Sequence, residues 1–278
     1  MLVTGVNGQL GHDAVKLLKS KGVECRGVDI GDFDLTDSAA VSAYVKNYAP
    51  TVIVHCAAYT AVDKAEDDAE RCFAVNVTGT QNIAAAAKES GAALMYISTD
   101  YVYGGGGKKP FAESDAVSPL SVYGVTKKKG EDAVTETLSE YFILRTSWVF
   151  GKNGGNFVKT MLRLAKEKPE LNVVTDQIGS PTYTADLSRL IAEMIFTRRY
   201  GVYNASNEGY CSWKEFADEI FKLANVRVKV NGVKSGEYAA KARRPLNSRL
   251  DKTKLEQNGF ARLPDWRDAL KRYLKEIE

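Results

Sequence analysis

The stretch "MLVTGVNGQLGHDAVKLLKSKG", residues 1 to 22, passes from a short apolar run into an amphipathic helical pattern through three glycines, Gly5, Gly8 and Gly11. A buried strand that turns through glycine straight into a helix is the opening of a parallel β-α-β unit. The pattern then repeats. "VECRGVDI", "TVIVHCAAY", "ALMYISTD" and "YFILRTSWVFG" read as strands, separated by the helical stretches "SAAVSAYVKNYA", "DAERCFAVNVTGTQNIAAAAKESG" and "VYGVTKKKGEDAVTETL". Such alternation predicts an α/β fold, a Rossmann-type doubly wound parallel sheet with helices on both faces. Right-handed crossovers then gather the strand C-termini on one edge, where ligands bind.

After residue 150 the rhythm loosens. The helical stretches "NFVKTMLRLAKE", "TADLSRLIAEMIFTRR", "SWKEFADEIFKLANV" and "DWRDALKRYLKEI" accompany a strand, "ELNVVTD", and a basic irregular segment, "KARRPLNSRLD". Residues 1–150 are expected to form an NAD(P)-binding domain whose sheet is continued by parts of 151–210. Residues 151–278 are expected to form mainly a smaller C-terminal substrate-binding lobe. The "GGGG" run at 104–107 reads as a flexible loop just past a strand.

Composition narrows the function. Lysine and arginine number 38 against 35 aspartates and glutamates, with the signs interspersed, so the chain carries no electrostatic footprint for nucleic acid or an anionic membrane. An anionic small molecule stays open. No run approaches the roughly 18 apolar residues of a membrane span, and no basic leader precedes the first strand, so a cytoplasmic protein is expected. Cys25, Cys56, Cys72 and Cys211 show no paired spacing and read as reduced thiols. His12 and His55 are the only imidazoles, and His55 inside "TVIVHCAA" reads as a satisfied core residue, which disfavours triad hydrolysis and histidine-rich metal sites.

The glycine spacing is G-x-x-G-x-x-G, with Asn7 inside the turn. Glycines there permit a tight turn and close approach of a pyrophosphate, and the helix N-terminus offers free N–H groups to it. The second strand ends at Asp29, placed to accept hydrogen bonds from an adenosine ribose and to repel a 2′-phosphate unless an arginine offsets it. Arg26 is the only candidate in that segment, so NADH is favoured and NADPH tolerated. After the third strand, Ala57 and Ala58 are small enough for a cofactor to lie against the backbone, with Tyr59 and Thr60 flanking it.

Tyr123 and Lys127 in "SVYGVTKKKG" stand one helical turn apart on one face. A lysine ammonium beside a phenol is expected to lower the tyrosine pKa toward neutrality and make proton transfer feasible. The fourth strand ends in Ser98, Thr99 and Asp100, and strand alternation sends only one of the two hydroxyls toward a substrate. A second pair, Tyr210 and Lys214, has no glycine loop or hydroxyl cluster before it and reads as helix surface.

Taken together, "GVNGQLG", "AAYTAVDKAE", "STDYVYG", "YGVTK", "RTSWVFG", "NFVKTMLRLA", "DQIGSPT" and "RRPLNSRL" resemble the dTDP-4-dehydrorhamnose reductase family of extended short-chain dehydrogenase/reductases, in order along almost the whole chain. The resemblance implies that a hydride from NADH or NADPH reduces the 4-keto group of dTDP-6-deoxy-L-lyxo-4-hexulose to dTDP-L-rhamnose. It implies that Thr99, Tyr123 and Lys127 act together, with Tyr123 giving the proton, Lys127 holding the nicotinamide ribose and Thr99 polarising the ketone. Cofactor contacts implied by the family are Gly8, Gln9, Leu10, Asp29, Asp34, Leu35, Ala58, Tyr59, Thr60, Tyr123 and Lys127. Asp100 and Trp148 resemble sugar contacts, with Asn156 as a polar substrate contact and Arg244 as a diphosphate contact. The metal-bound carboxylates through which some members bridge a dimer do not map onto the chain, so no metal is expected and a homodimer stays open. Two alternatives stay open: a regulatory subunit of the same fold, such as that of methionine adenosyltransferase, and a nucleotide-sugar epimerase or dehydratase.

Overall fold

In the computed structural model, which describes residues 1–237 and 239–278, the strand-like runs become β1 (Leu2–Thr4), β2 (Arg26–Val28), β3 (Val52–His55), β4 (Ala93–Thr99) and β5 (Tyr141–Thr146). They lie parallel in the order β2-β1-β3-β4-β5, and the strand Gly201–Asn204 pairs in parallel with β5 as a sixth member. The chain moves from β1 outward to β2 and then crosses back to β3. That reversal opens a crevice at the C-terminal ends of β1 and β3, the switch point at which such sheets bind ligands.

The helices that follow in sequence are α1 (Gln9–Ser20), α2 (Ser38–Tyr48), α3 (Val62–Ala65), α4 (Ala69–Phe73), α5 (Gly79–Ser90) and α6 (Val122–Thr137). Both sheet faces are buried because successive strand residues point oppositely. Val3, Val54, Met95 and Leu144 pack on one face with Leu10, Ala14 and Leu18 of α1, a stripe at four-residue spacing. Leu2, Ile53, Leu94 and Ile143 pack on the other with Val41 and Val45 of α2 and Ile83 and Ala87 of α5. A one-residue slip would turn each set into the wrong core.

The later chain supplies α7 (Phe157–Glu167), α8 (Thr184–Met194), α9 (Trp213–Leu223), α10 (Thr253–Gln257) and α11 (Trp266–Ile277). These divide between two cores. Leu187 and Ile191 of α8, with Tyr203 and Leu255, join the face of the main sheet that α1 covers. Around Phe150, α7, α9 and α11 assemble a separate core with Val158, Phe216 and Trp266, flanked by a parallel pair of strands, Glu170–Val174 and Lys229–Val233. Among the described residues, no helix is long and apolar enough to cross a membrane.

Placement of α6 is the packing step that matters for the site. Ser121 caps the helix, its hydroxyl accepting from the Gly124 N–H at 3.2 Å. Further along, Gly130 lies so near β4 that an added Cβ would stand 2.2 Å from Tyr96 Oη and 2.8 Å from the Asn76 carbonyl. Asn76 sits in a π-helical segment, Ala74–Thr78, that joins α4 to α5. Gly130→Ala is therefore expected to lower stability by about 1–3 kcal/mol through overpacking, and adding Tyr96→Phe should return part of it. Thermal melts of the two variants check this; an unaltered single variant would mean that α6 has room to move.

Candidate active site

The Gly5–Gly11 turn lies at the switch point. Gly5 has φ +71°, and a Cβ there would meet Ala57 Cα at 2.7 Å, so the turns after β1 and β3 approach backbone to backbone. No side chain caps the N-terminus of α1, whose N-cap is Gly8, and its first N–H groups face a cleft of about 870 Å³. Asp29 stands at the edge of that cleft. Its Oδ2 accepts from the Asn7 N–H and its Oδ1 from the Ile30 N–H, both at 2.9 Å, which fixes the carboxylate beside the glycine turn. Asp34 is held similarly by the Thr36 N–H and hydroxyl, each at 2.8 Å, and these bonds keep its carboxyl below the usual range.

The remaining cofactor candidates, Gln9, Leu10, Leu35, Ala58, Tyr59 and Thr60, line the same cleft, as do Thr99, Asp100, Tyr123, Lys127, Trp148 and Asn156. The sequence reading is corrected on arginine. Arg26 stacks over the Tyr48 ring at 5.0 Å and lies outside the lining, whereas Arg71 of α4 lies within it and is close enough to Asp34 to lower its pKa.

At the floor of the cleft, the two hydroxyls of β4 diverge as alternation requires. Ser98 Oγ donates to Glu131 Oε1 at 2.6 Å, and Thr99 Oγ1 donates to Asp100 Oδ1 at 3.0 Å. Thr99 also hydrogen-bonds Tyr123. Tyr123 packs its ring edge-on to Tyr101, with centroids 5.6 Å apart. Lys127 is buried with Nζ 3.9 Å from the centre of the Tyr96 ring, and burial pushes its ammonium down to about 7. The expected lowering of the Tyr123 pKa does not occur. Burial pushes the phenol up, the Thr99 hydrogen bond offsets only part of this, and Asp100 adds to the rise. His55 is a satisfied core residue, with Nδ1 2.7 Å from Thr4 Oγ1 and Nε2 3.3 Å from Thr80 Oγ1; burial drives its pKa to about 3, so it is neutral.

In the same cleft, Trp148 adopts a left-handed backbone conformation, φ +49°, and stacks on Trp213 at 3.7 Å with ring planes 12° apart. Trp213 Nε1 donates to Gln177 Oε1 at 3.1 Å. Asn156 lines the cleft, yet its side chain is fully engaged within the protein. Its Oδ1 accepts from the Lys159 N–H, and its amide donates to Gln9 Oε1, the Gly151 carbonyl and Tyr273 Oη. Arg244 lies in a neighbouring cavity of about 770 Å³, where it makes a bidentate pair with Asp63, Nη1 to Oδ1 at 2.9 Å and Nη2 to Oδ2 at 2.6 Å. Trp213 lines both cavities. Tyr210 and Lys214 stand apart from both, bonded to the Leu250 carbonyl and to Asp218.

Over residues 1–278 the chain matches the model of the RmlD substrate binding domain. A dTDP-4-dehydrorhamnose reductase of Aggregatibacter actinomycetemcomitans is 42% identical over 285 residues, covering 98% of this chain and 97% of the relative. The chain belongs to the dTDP-4-dehydrorhamnose reductase family. Two solved reductases share its fold at a TM-score of 0.97. That of Clostridium acetobutylicum is 42% identical, and that of Bacillus anthracis, in complex with NADP, is 44% identical; each comparison covers 99% of this chain and 98% of the other.

Sequence reasoning missed several side chains in the cleft or supporting its lining. Asn76 is one, its Oδ1 accepting from the Tyr59 N–H at 2.8 Å while its amide donates to Thr126 Oγ1 at 3.1 Å. Trp213 is another; its tryptophan in "SWK" was the available signal. Ser248, from the distant "NSRL", hydrogen-bonds Asp100, whose Oδ2 is buried without a partner among the described residues.

Burial raises the Asp100 carboxyl to about 6, against partial offsets from Ser248 and Thr99. Because the native pKa lies above the ordinary 3.8, the folded state binds this proton more tightly, and stability falls as pH rises through the window between the two values. Asp100→Asn is expected to be more stable than the parent by about 1–3 kcal/mol near pH 8 and no more stable near about pH 4. Denaturation curves at the two pH values check this; an equal difference at both would remove the buried-charge account.

Proposed function

We infer that this chain is the NAD(P)H-dependent reductase that converts the 4-keto group of dTDP-6-deoxy-L-lyxo-4-hexulose to the alcohol of dTDP-L-rhamnose. The observation that carries the reading is the meeting of Thr99, Asp100, Tyr123 and Lys127 in the cleft that begins at the Gly5–Gly11 turn. A NAD(P) cofactor fits that cleft: the uncapped α1 N-terminus suits its pyrophosphate, and the fixed Asp29 suits its adenosine ribose. NAD(P)H supplies the hydride for C4 of the sugar. Asp29 favours NADH, while Arg71 adds a positive charge on the adenosine side.

The protein's part is to place the ketone and deliver a proton. The raised pKa of Tyr123 keeps its phenol protonated at neutral pH, which is the form an acid needs before the reaction starts. As the proton leaves for the carbonyl oxygen, charge develops on the phenolate, and the Lys127 ammonium one turn away stabilises it. Lysine therefore acts on the transition state rather than on the resting phenol. On substrate binding the Thr99 hydroxyl turns its one proton from Asp100 Oδ1 to the same carbonyl oxygen, and the Asp100 carboxylate, with its buried free Oδ2, accepts from a sugar hydroxyl. Trp148 covers the sugar ring.

We place the nucleotide in the neighbouring cavity, across Trp213, in the lobe built on α7 and α9. Lys241, Arg243 and Arg244 line it, and an arginine fork suits a diphosphate. Arg244 then shares its guanidinium between Asp63 and that diphosphate. Gln9 and Asn156, bonded to each other, act as a clamp between the glycine turn and the lobe. We also read the enzyme as cytoplasmic.

Purified protein mixed with the 4-keto sugar nucleotide and NADH, or NADPH in parallel, should deplete nicotinamide absorbance in one-to-one ratio with dTDP-L-rhamnose formed. An epimerase gives no net depletion, and a regulatory subunit gives no turnover. Tyr123→Phe should lose about 10²-fold or more in kcat while binding NADH normally, Lys127→Met should weaken both, and Tyr210→Phe should behave as wild type. Undiminished turnover in Tyr123→Phe overturns the proton-donor role.

A further inference from the structure

On the reacting face of α6, one turn beyond Lys127, lies a buried ion pair, Glu131 with Arg145, that the roles above leave unused. Tyr123, Lys127 and Glu131 follow one another at four-residue intervals along one helix face. Lys127 and Glu131 retain 2% and 3% of their exposure. Three donors converge on the Glu131 carboxylate. Ser98 Oγ reaches Oε1 at 2.6 Å, Arg145 Nε reaches the same oxygen at 2.9 Å, and Arg145 Nη2 reaches Oε2 at 2.7 Å. Arg145 is itself fixed, donating to Tyr103 Oη at 2.8 Å and to the Glu113 carbonyl at 3.3 Å. Glu131 is therefore aimed from β4 and β5 at once.

The groups that face Lys127 come from every element packed around it. β4 brings the Tyr96 ring, β3 and the turn after it bring His55 and Cys56, α4 brings Cys72, and α6 itself brings Tyr123 and Glu131. Asp100 lies on the far side of Tyr123, and Arg145 on the far side of Glu131. The two thiols and the two phenols are pushed upward by burial and stay protonated at neutral pH, and His55 is neutral. Of the groups packed directly around Lys127, Glu131 alone sets a negative charge against the ammonium; Asp100 stands beyond Tyr123.

We propose that Glu131 is a positioning residue for the reduction: held by Arg145 and Ser98, its carboxylate keeps Lys127 charged and in place, and so governs proton transfer at Tyr123 and the grip on the nicotinamide ribose. The proposal rests on the roles given above to Tyr123 and Lys127. Its consequence has a definite sign. Without the adjacent anion a buried ammonium is less favoured, so Lys127 gives up its proton at lower pH, and cofactor affinity and turnover fall earlier on the alkaline side.

Two variants test this. Glu131→Gln keeps the shape and removes the charge, and Glu131→Gln/Arg145→Met does so without leaving a guanidinium buried and unpaired. The Kd for NADH is followed by its fluorescence from about pH 5 to about pH 9, alongside the pH profile of kcat. The alkaline midpoint of both should fall by about one pH unit in the folded single variant and by less, in the same direction, in the double variant, which loses the Arg145 cation with the anion; Kd between the wild-type and variant midpoints should rise up to about tenfold. Should the single variant fail to fold, the double variant decides. NADH binding needs no keto sugar, so a wild-type protein that binds NADH without reducing the sugar sinks the proposed function and leaves this measurement standing. Midpoints at the wild-type pH in a folded variant, whatever its Tm, overturn the proposal and reduce Glu131 to a packing element.

Discussion

Burying the ammonium of Lys127 is the constraint around which the rest of the site is arranged. A lone charge taken out of water costs several kcal/mol even after relaxation, and this lysine keeps 2% of its exposure. The surroundings offset that cost in three ways. The Tyr96 ring presents its face at 3.9 Å, Glu131 stands one turn away, and His55 stays neutral so that no second cation competes. The offset is incomplete, which leaves Lys127 near 7, poised between its two forms. Gly130 makes the arrangement sterically feasible, since only a residue without Cβ lets α6 settle this close to Tyr96 and to the Asn76 carbonyl.

Joining the two halves of the molecule requires a different kind of contact. Asn153 Nδ2 donates to the Asn7 carbonyl at 2.7 Å, and Gln9 Oε1 accepts from the Gly151 N–H at 2.8 Å. The glycine turn is thus tied to the segment that follows β5. The stacked Trp148 and Trp213 stand where the two cavities meet, and Asp63 of α3 reaches Arg244 from the other side. A long ligand with a flat cofactor-facing sugar, a charged middle and a planar base would span this geometry. The charged middle would meet Arg244, and the sugar would meet Thr99 and Asp100.

How much of this was legible in the sequence depends on whether a feature is local. The glycine turn, Asp29 and the Tyr123–Lys127 spacing each declare themselves within a few residues, because a backbone need or a helical period dictates them. The strand Gly201–Asn204 was foreseen only as some continuation of the sheet within 151–210; four residues carry too little period, and pairing with β5 defines it. Trp213 reaches the cleft, and Ser248 reaches Asp100, from far along the chain, so no spacing could place them. Arg26 was named as the only arginine near Asp29 in sequence, whereas α4 brings Arg71 to the cleft. The Tyr123 pKa was misjudged for a physical reason: a neighbouring cation was counted, but burial of both groups was invisible.

The central claim is that a hydride reaches C4 of a nucleotide-linked keto sugar in this cleft while Tyr123 supplies the proton. The most direct test uses NADH deuterated at the transferring position of the nicotinamide, with the product examined by mass spectrometry and proton NMR. One deuterium at C4 of the dTDP-linked 6-deoxy sugar, with none at any other carbon, is the predicted result. Product without deuterium, or deuterium that stays with the cofactor while the sugar is altered, would contradict the account.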